Sequence, residues 1–122
     1  IEESLLDKTI LTEVDIVSTE VVPVTAKSKT PHLKQWTLHS VEIPKDKALE
    51  IAGRLSQLLD KEHNNWYADY KTEEDHFIIF PDKIFHITDR TDKKQYDKAS
   101  QYGISIGIPD YQLDFSEAVK SR

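Results

Sequence analysis

The sequence predicts an α+β domain in which an antiparallel sheet of about five strands carries two helices, in the order β-β-α-β-β-β-α. Three observations lead to this class. Segments rich in β-branched and aromatic residues alternate with short polar loops, one stretch repeats its apolar residues at helical spacing, and a second such stretch follows near the end. The chain has 122 residues, the length of one domain with its own core, so we expect 1–122 to fold as a single domain.

Two strands are predicted in the first third of the chain. The runs ILTEVDIVSTEVVPV (10–24) and WTLHSVEI (36–43) are rich in Val, Ile and Thr, which favour extended backbone. Residues 25–33 contain small residues, lysines and a proline, a composition that is typical of a loop. We expect the two ends of the chain, 1–9 and 116–122, to be mobile.

The first helix is predicted over 46–61. Its apolar residues recur every three or four positions and therefore share one helical face. They are Ala48, Leu49, Ile51, Ala52, Leu55, Leu58 and Leu59. Pro44 suits a helix entry because its φ is fixed, and Asp46 places a negative charge near the positive end of the helix dipole.

The next three strands are predicted to form a meander. WYADYK (66–71) and HFIIF (76–80) flank the polar residues 72–75, a loop length that is common in hairpins. Pro81 and Asp82 fit a two-residue turn into KIFHI (83–87). The segment is therefore interpreted mainly as a sheet, despite its density of aromatic, acidic and histidine residues.

These loop lengths assign the side chains of the meander to two faces, because side chains alternate along a strand. One face holds Trp66, Ala68, Tyr70, Phe77, Ile79, Ile84 and His86. The other holds Tyr67, Asp69, Lys71, His76, Ile78, Phe80, Phe85 and Ile87. Either each helix covers one face, or both helices share the Trp66 face and the other face is closed by the N-terminal segment or by another chain. We expect the second arrangement, which leaves an interface for another copy or a partner, made of Ile78, Phe80, Phe85 and Ile87.

A second helix is predicted after Thr91, with Asp92 as its N-cap and its end near Gly107. Its inward positions recur at helical spacing, at Tyr96, Ala99, Gly103 and Ile106. Gly103 is expected to let the helix approach the sheet closely, and Gly107 to supply a left-handed C-terminal cap. The two glycines do not match a phosphate-binding G-x-x-x-x-G-K-[ST] loop in spacing, and the lysine is absent.

Composition excludes several classes of function. Charged residues make up 31% of the chain and the net charge is −6, which disfavours nucleic acid as a partner. The apolar runs are too short to span a membrane, so we expect no membrane association. The chain has no cysteine, which fits a reducing compartment and a cytoplasmic location. It also has no methionine and opens on Ile1, so we expect the gene product to start upstream.

Three stretches, WYADY, FIIFPDKIFHI and YGISIGIPDYQLDF, resemble a small family of uncharacterised prokaryotic proteins over roughly residues 10–115. The family has no established activity and no catalytic residue that could be carried over. Its members have been suggested to act as the antitoxin half of a toxin–antitoxin pair. The resemblance therefore implies a protein-binding, antitoxin-like role.

No metal or cofactor is predicted, and no catalytic residue is assigned. The histidines include no H-x-H or H-x-x-x-H pair that would place two rings on one ion; they are His32, His39, His63, His76 and His86. Asp69 and His76 share a sheet face diagonally across a hairpin and could form a general base with its orienting carboxylate, but no nucleophile stands beside them. No G-x-S-x-G motif exposes a serine.

Two hypotheses of function remain. The first, which we prefer, is a small acidic and non-enzymatic protein-interaction module that forms a homodimer or binds a partner protein. The second is a small-ligand or enzymatic pocket between the sheet and a helix. The residues predicted to line this pocket are Trp36, His39, Tyr67, Asp69, His76 and His86. A cavity with converging polar groups would favour the pocket, and a buried flat apolar face would favour the module.

Overall fold

A computed structural model describes residues 1–25, 33–61 and 66–119 of the chain and confirms the α+β class. The strands and helices are β1 (Asp15–Pro23), β2 (Gln35–Glu42), α1 (Ala48–Leu58), β3 (Ala68–Lys71), β4 (His76–Phe80), β5 (Lys83–Ile87) and α2 (Lys93–Ser105). Short 3₁₀ helices lie at Glu2–Ser4, Lys8–Glu13, Lys45–Lys47 and Asp110–Gln112. The predicted order of strands and helices is therefore confirmed.

The strands form two antiparallel sheets instead of the single sheet that was predicted. β1 pairs with β2 in a two-stranded ribbon, and β3, β4 and β5 form a three-stranded meander. Between β2 and β3 lie the N-terminal segment and a cavity that residues from both strands line. This intervening segment explains why β2 does not extend the meander.

The register of the meander confirms the predicted faces. Asp69 lies opposite Ile78, and Phe77 lies opposite His86. The β3–β4 loop is closed by a hydrogen bond from the Thr72 N–H to the Asp75 carbonyl at 2.8 Å. Asp82 completes the β4–β5 turn with a φ of 59°, a left-handed conformation that Asp tolerates better than most residues.

Each face of the meander is covered by one helix. The first core cluster lies on the α1 side and contains Ala52, Leu59, Trp66, Phe77 and Ile79. The second lies on the α2 side and contains Ile78, Phe80, Ile87, Tyr96, Ala99, Ile108, Leu113, Phe115 and Ala118. The chain thus buries both apolar faces of its own meander.

This arrangement corrects the predicted interface. Ile78, Phe80 and Ile87 are at most 1% exposed, because α2 and the segment that follows it pack on them. Phe85 is partly buried and packs its ring against Phe80. Ile78, Phe80 and Ile87 therefore belong to the domain core, and only part of the Phe85 side chain is exposed.

Gly103 explains how α2 covers this face. A Cβ atom at this position would lie 2.7 Å from both terminal methyl carbons of Leu113 and 3.1 Å from the Phe80 ring. Only a residue without a side chain therefore permits this close approach, as predicted. Gly107 follows the helix with a φ of 98°, and the Asp92 carboxylate accepts a hydrogen bond from the Lys94 N–H. Both predicted caps are confirmed.

The chain ends are attached to the domain at the residues that the structure describes. The Leu6 N–H donates to the Leu58 carbonyl, and the Asp60 N–H donates to the Ser4 carbonyl, each at 2.7 Å. At the other end, Arg90 donates from Nη2 to the Ala118 carbonyl at 2.8 Å. Residues 26–32, within the predicted loop, and 120–122 lie outside the described part of the chain.

Candidate functional site

A cavity of about 260 Å³ lies between the N-terminal segment, β2, α1 and β3. Its apolar wall is formed by aliphatic side chains from the N-terminal segment, β2, α1 and the residues that follow β2 and α1, including Ile10, Leu11, Val14, Val41, Ile43, Ile51, Leu55 and Leu59. Polar side chains of Glu2, Ser4, His39 and Asp69 also contribute to the lining. A concave, mostly apolar space with a few polar groups is the usual form of a small-ligand site.

The open edge of β3 forms one border of the cavity. Four consecutive residues, 67–70, line it, although their side chains alternate between the two faces of the sheet. Consecutive residues can border one space only along a strand edge, and β3 is the edge strand of its sheet. The side of β3 that does not pair with β4 therefore borders the cavity.

His39 is held in place by two side chains at the cavity. Its Nδ1 lies 2.9 Å from Thr19 Oγ1 on the neighbouring strand, and its Nε2 lies 3.3 Å from Glu2 Oε2. Both ring nitrogens of His39 are therefore engaged by neighbouring side chains. His39 thereby links the β1–β2 ribbon to the N-terminal segment.

Glu3 forms a second link between the same elements. The Thr37 N–H and the Thr37 hydroxyl each donate to the Glu3 carboxylate at 2.6 Å. Burial would raise the pKa of this carboxyl, but the hydrogen bonds from Thr37 outweigh it and hold the pKa below its ordinary value. The ionised form of Glu3 therefore anchors the N-terminal segment to β2.

The two tyrosines of the lining use their hydroxyls elsewhere. Tyr67 donates to the Gln112 carbonyl at 2.5 Å, and Tyr70 donates to the Ala48 carbonyl. Burial raises the pKa of both phenols to about 12, with a smaller contribution from the charge of Asp69 in the case of Tyr67. Both side chains are therefore protonated phenols whose donors are already engaged, and their rings pack against phenylalanines of the two core clusters.

His76 and Asp69 form the diagonal pair that the strand alternation predicts. His76 Nε2 lies 2.7 Å from Asp69 Oδ2, and His76 Nδ1 lies 3.0 Å from the Tyr96 hydroxyl on α2. His76 is 0% exposed, so neither ring nitrogen can reach a substrate in solvent. The geometry of the pair is confirmed, but it joins β3, β4 and α2 and does not form an accessible general base.

The six predicted pocket residues occupy four separate places. His39, Tyr67 and Asp69 line the cavity, whereas His76 is enclosed beneath α2. His86 is exposed on the opposite face, where it stacks on Phe77 at 4.2 Å between ring centroids and contacts Asp75. Trp36 packs edge-on against Trp66 at 5.9 Å. The predicted single pocket is thus corrected, because the alternation of the strands sends these side chains to different faces.

Sequence reasoning missed the contribution of the N-terminal segment to the cavity. Residues 1–9 were predicted to be mobile, yet Glu2, Ser4 and Leu5 belong to the lining. A local signal was present in Asp7, whose carboxylate accepts from the Thr9 N–H at 2.9 Å and so starts the 3₁₀ helix Lys8–Glu13. That helix places Ile10 in the core with 1% exposure.

The second surface that stands out is the β1–β2 ribbon. Nearly every residue of β1 is exposed, including the large apolar side chains of Ile16, Val17 and Val21. The composition of this strand predicted its extended backbone correctly. It did not indicate that the strand lies on the surface, because β-branched residues favour exposed and buried strands alike.

The described ranges contain neither a metal-binding cluster nor a membrane-spanning helix. Across residues 1–25, 33–61 and 66–119, no group of three or more His, Asp or Glu side chains is arranged to hold a metal ion. Over the same ranges, no helix combines the length and apolarity needed to cross a membrane.

No family model, curated protein or solved structure matches the chain.

Proposed function

We propose that this chain is a small, non-enzymatic protein-interaction module that binds a basic, extended segment of a partner protein along the outer edge of β1. In strand addition, main-chain hydrogen bonds supply affinity and the alternating side chains supply specificity. The observation that carries the proposal is the exposure of β1 along its length as the edge strand of a two-stranded sheet. A strand edge of this kind is a template for another strand.

The exposed apolar side chains of β1 support a binding role. Val17 is 63% exposed, Val21 is 56% exposed and Ile16 is 44% exposed. Several large apolar side chains on one short strand form a patch that a partner strand would cover, and such patches often mark interaction sites. Burying them would add a hydrophobic contribution to the hydrogen bonds of the edge.

The charges of the ribbon define the partner. β1 and β2 carry Asp15, Glu20 and Glu42 and contain no lysine or arginine. Asp15 lies directly opposite Glu42, an arrangement of like charges that destabilises a strand pair. A lysine or arginine from a partner strand would relieve this repulsion. A second copy of the chain would add to it, since each copy carries a net charge of −6.

Two features limit where a partner strand can pair. A bulge interrupts the β1–β2 register between Ile16 and Ser18, and Pro23 lacks an N–H donor. The regular part of the edge is therefore 18–22, with one acidic side chain, Glu20, at its centre. We propose this stretch as the recognition segment.

The antitoxin-like role implied by the family resemblance is a special case of this proposal. In that case the basic segment belongs to a toxin, and binding to β1 would hold it in an inactive state. A prokaryotic origin and a cytoplasmic location are part of the same proposal. The acidic charge of the ribbon and its exposed edge support the protein-binding part of this proposal.

A model peptide tests the proposal directly. We expect a fluorescent peptide of nine alternating Val and Lys residues, which matches the length of β1, to bind the chain in fluorescence anisotropy. The matched Val and Glu peptide should bind much more weakly. A Val and Lys peptide interrupted by proline should also lose affinity, because proline cannot donate to the ladder.

Charge reversal on the ribbon provides the matched control. Glu20→Lys should weaken binding of the basic peptide by at least about tenfold. Glu74→Lys makes the same change in net charge at an exposed position in the β3–β4 loop and should have little effect. Equal losses in the two variants, or equal binding of the acidic and basic peptides, would show that only net charge matters. A stable dimer of the unliganded chain that Glu20→Lys dissociates would instead identify a second copy as the partner.

A further inference from the structure

We infer that the cavity beside β3 is a binding site for a small molecule that combines a short alkyl chain with a protonated amine. This site is separate from the outer edge of β1, and the inference goes beyond the proposed protein-binding function. It rests on the size of the cavity, its apolar wall, and the sign of the charges that line it.

The volume of the cavity and its apolar wall determine the size and apolar character of the ligand's main part. At about 260 Å³ the cavity is larger than the roughly 150 Å³ that accepts benzene in an engineered protein core, and slightly smaller than most drug-binding pockets. Aliphatic side chains such as Ile10, Ile51 and Leu59 supply most of the wall, and these three are at most 1% exposed. A short aliphatic chain matches this wall, whereas a polar sugar or nucleotide would lose its hydration without replacement hydrogen bonds.

The charges of the lining determine which charge the head group of the ligand should carry. The charged side chains that line the cavity are the carboxylates of Glu2 and Asp69, and the lining includes no lysine or arginine among the described residues. The open edge of β3 adds main-chain carbonyl groups, which accept hydrogen bonds. An ammonium group is a pure donor with a positive charge, and it therefore complements both kinds of group.

Asp69 is the principal anchor for this ammonium group. Its Oδ2 contacts His76 Nε2 at 2.7 Å, so the proposed ammonium group would contact Oδ1. The side chain is 40% exposed, so its carboxylate remains accessible to solvent, and Asp69 is one of the residues that line the cavity. Glu2 contributes less, because its carboxylate already contacts His39 at 3.3 Å and Lys8 at 4.0 Å.

The same features discriminate against other head groups. An alkanoate would place a third carboxylate beside those of Glu2 and Asp69, and the described lining offers it no lysine or arginine. An alkanol would keep the apolar contacts but would lose the charge-assisted hydrogen bonds. The expected order of affinity for chains of equal length is therefore amine, then alcohol, then carboxylate.

Three six-carbon probes test this order. Hexylamine, hexanol and hexanoate are titrated separately into the isotope-labelled chain at about pH 8, where the amine is protonated and the carboxylate is ionised. Binding is followed by backbone amide shifts. We expect hexylamine to bind most tightly and to shift residues 67–70 and residues near Ile10, while the amides of β1 move less.

Two variants separate charge from shape. Asp69→Asn should weaken hexylamine binding by at least about tenfold and leave hexanol nearly unchanged, because only the amine uses the charge. Asp75→Asn is the matched control, since Asp75 also pairs with a histidine, His86, but does not line the cavity. Leu11→Trp should reduce binding of all three probes by filling the space.

The inference is overturned if the three probes bind equally, if hexylamine causes no shifts at millimolar concentration, or if Asp69→Asn and Asp75→Asn have the same effect. Thermal melting of each variant verifies that it is folded. The result is independent of the peptide experiment, because Glu20→Lys alters β1 without touching the cavity lining. If the chain binds hexylamine but no basic peptide, the ligand site is supported and the proposed protein-binding function is refuted.

Discussion

His76 Nε2 and Asp69 Oδ2 lie 2.7 Å apart across the β3–β4 hairpin, with one partner fully buried and the other 40% exposed at its side chain. The second ring nitrogen of His76 contacts the hydroxyl of Tyr96, which lies 3.4 Å from the Ala118 carbonyl. The histidine thus connects the meander to α2 and to the end of the described chain. Its environment is that of a structural residue.

The asymmetry of this pair predicts unequal costs of substitution. His76→Ala should lower the free energy of unfolding by about 2 to 4 kcal/mol, since it removes a buried ring and two hydrogen bonds. Asp69→Asn should cost less than about 1 kcal/mol, because solvent screens a carboxylate that is 40% exposed. Urea denaturation measures both values. Equal costs would contradict the structural role of His76.

The two helical glycines predict opposite effects of alanine. Gly103→Ala should destabilise the domain by about 1 to 3 kcal/mol, because its Cβ would press on Leu113 and Phe80 in the core. Gly53→Ala in α1 meets nothing within 4 Å and should stabilise the domain by up to about 1 kcal/mol. Thermal denaturation of the two variants distinguishes them. Similar melting temperatures would refute the close approach of α2 to the meander.

Gly107 is predicted to act on stability through its backbone conformation. With a φ of 98°, Gly107→Ala should cost about 1 kcal/mol of unfolding free energy, because a Cβ disfavours this region. Peptide and hexylamine binding should be unchanged once the variant is folded. A variant that melts normally yet loses binding would contradict the capping role.

The hydrogen bonds of Glu3 predict a loss of stability in acid. The pKa of Glu3 in the folded chain lies below its ordinary value of 4.5, so its contribution is complete above that value and disappears as the pH falls through the folded pKa. Wild type and Glu3→Gln are melted between about pH 7 and about pH 3. Wild type should be the more stable at neutral pH, and the difference should shrink in acid. A constant difference would show that the carboxylate charge contributes nothing.

The sequence predicted those parts of the fold that local rules control. Strand alternation assigned both faces of the meander, and helical spacing with Asp92 and Gly107 located α2. The prediction failed for features of the fold that depend on long-range packing. Which face α2 covers depends on its close contact through Gly103, and the attachment of residues 1–9 depends on main-chain bonds to Leu58 and Asp60. Neither contact has a signature in local composition.

In the candidate site, too, contacts within one hairpin were predictable from the sequence, and contacts between distant segments were not. The Asp69 and His76 pair was predictable because both lie on one hairpin with a short loop. The convergence of Glu2, His39 and Asp69 on one cavity was not, because these residues come from three segments that are distant in the sequence. The exposure of β1 likewise follows from its position as an edge strand that pairs with β2 alone among the described strands, which composition does not encode.

Hydrogen exchange at the backbone of β1 tests the central claim most directly. Exchange of the amides of 18–22 is measured by NMR with and without a saturating amount of the alternating Val and Lys peptide. If the peptide adds as a strand to β1, we expect alternate amides of this segment to become protected, because only every second N–H of an edge strand points outward. Protection of residues 67–70 instead, or no change in β1 while the peptide is bound, would contradict strand addition at β1.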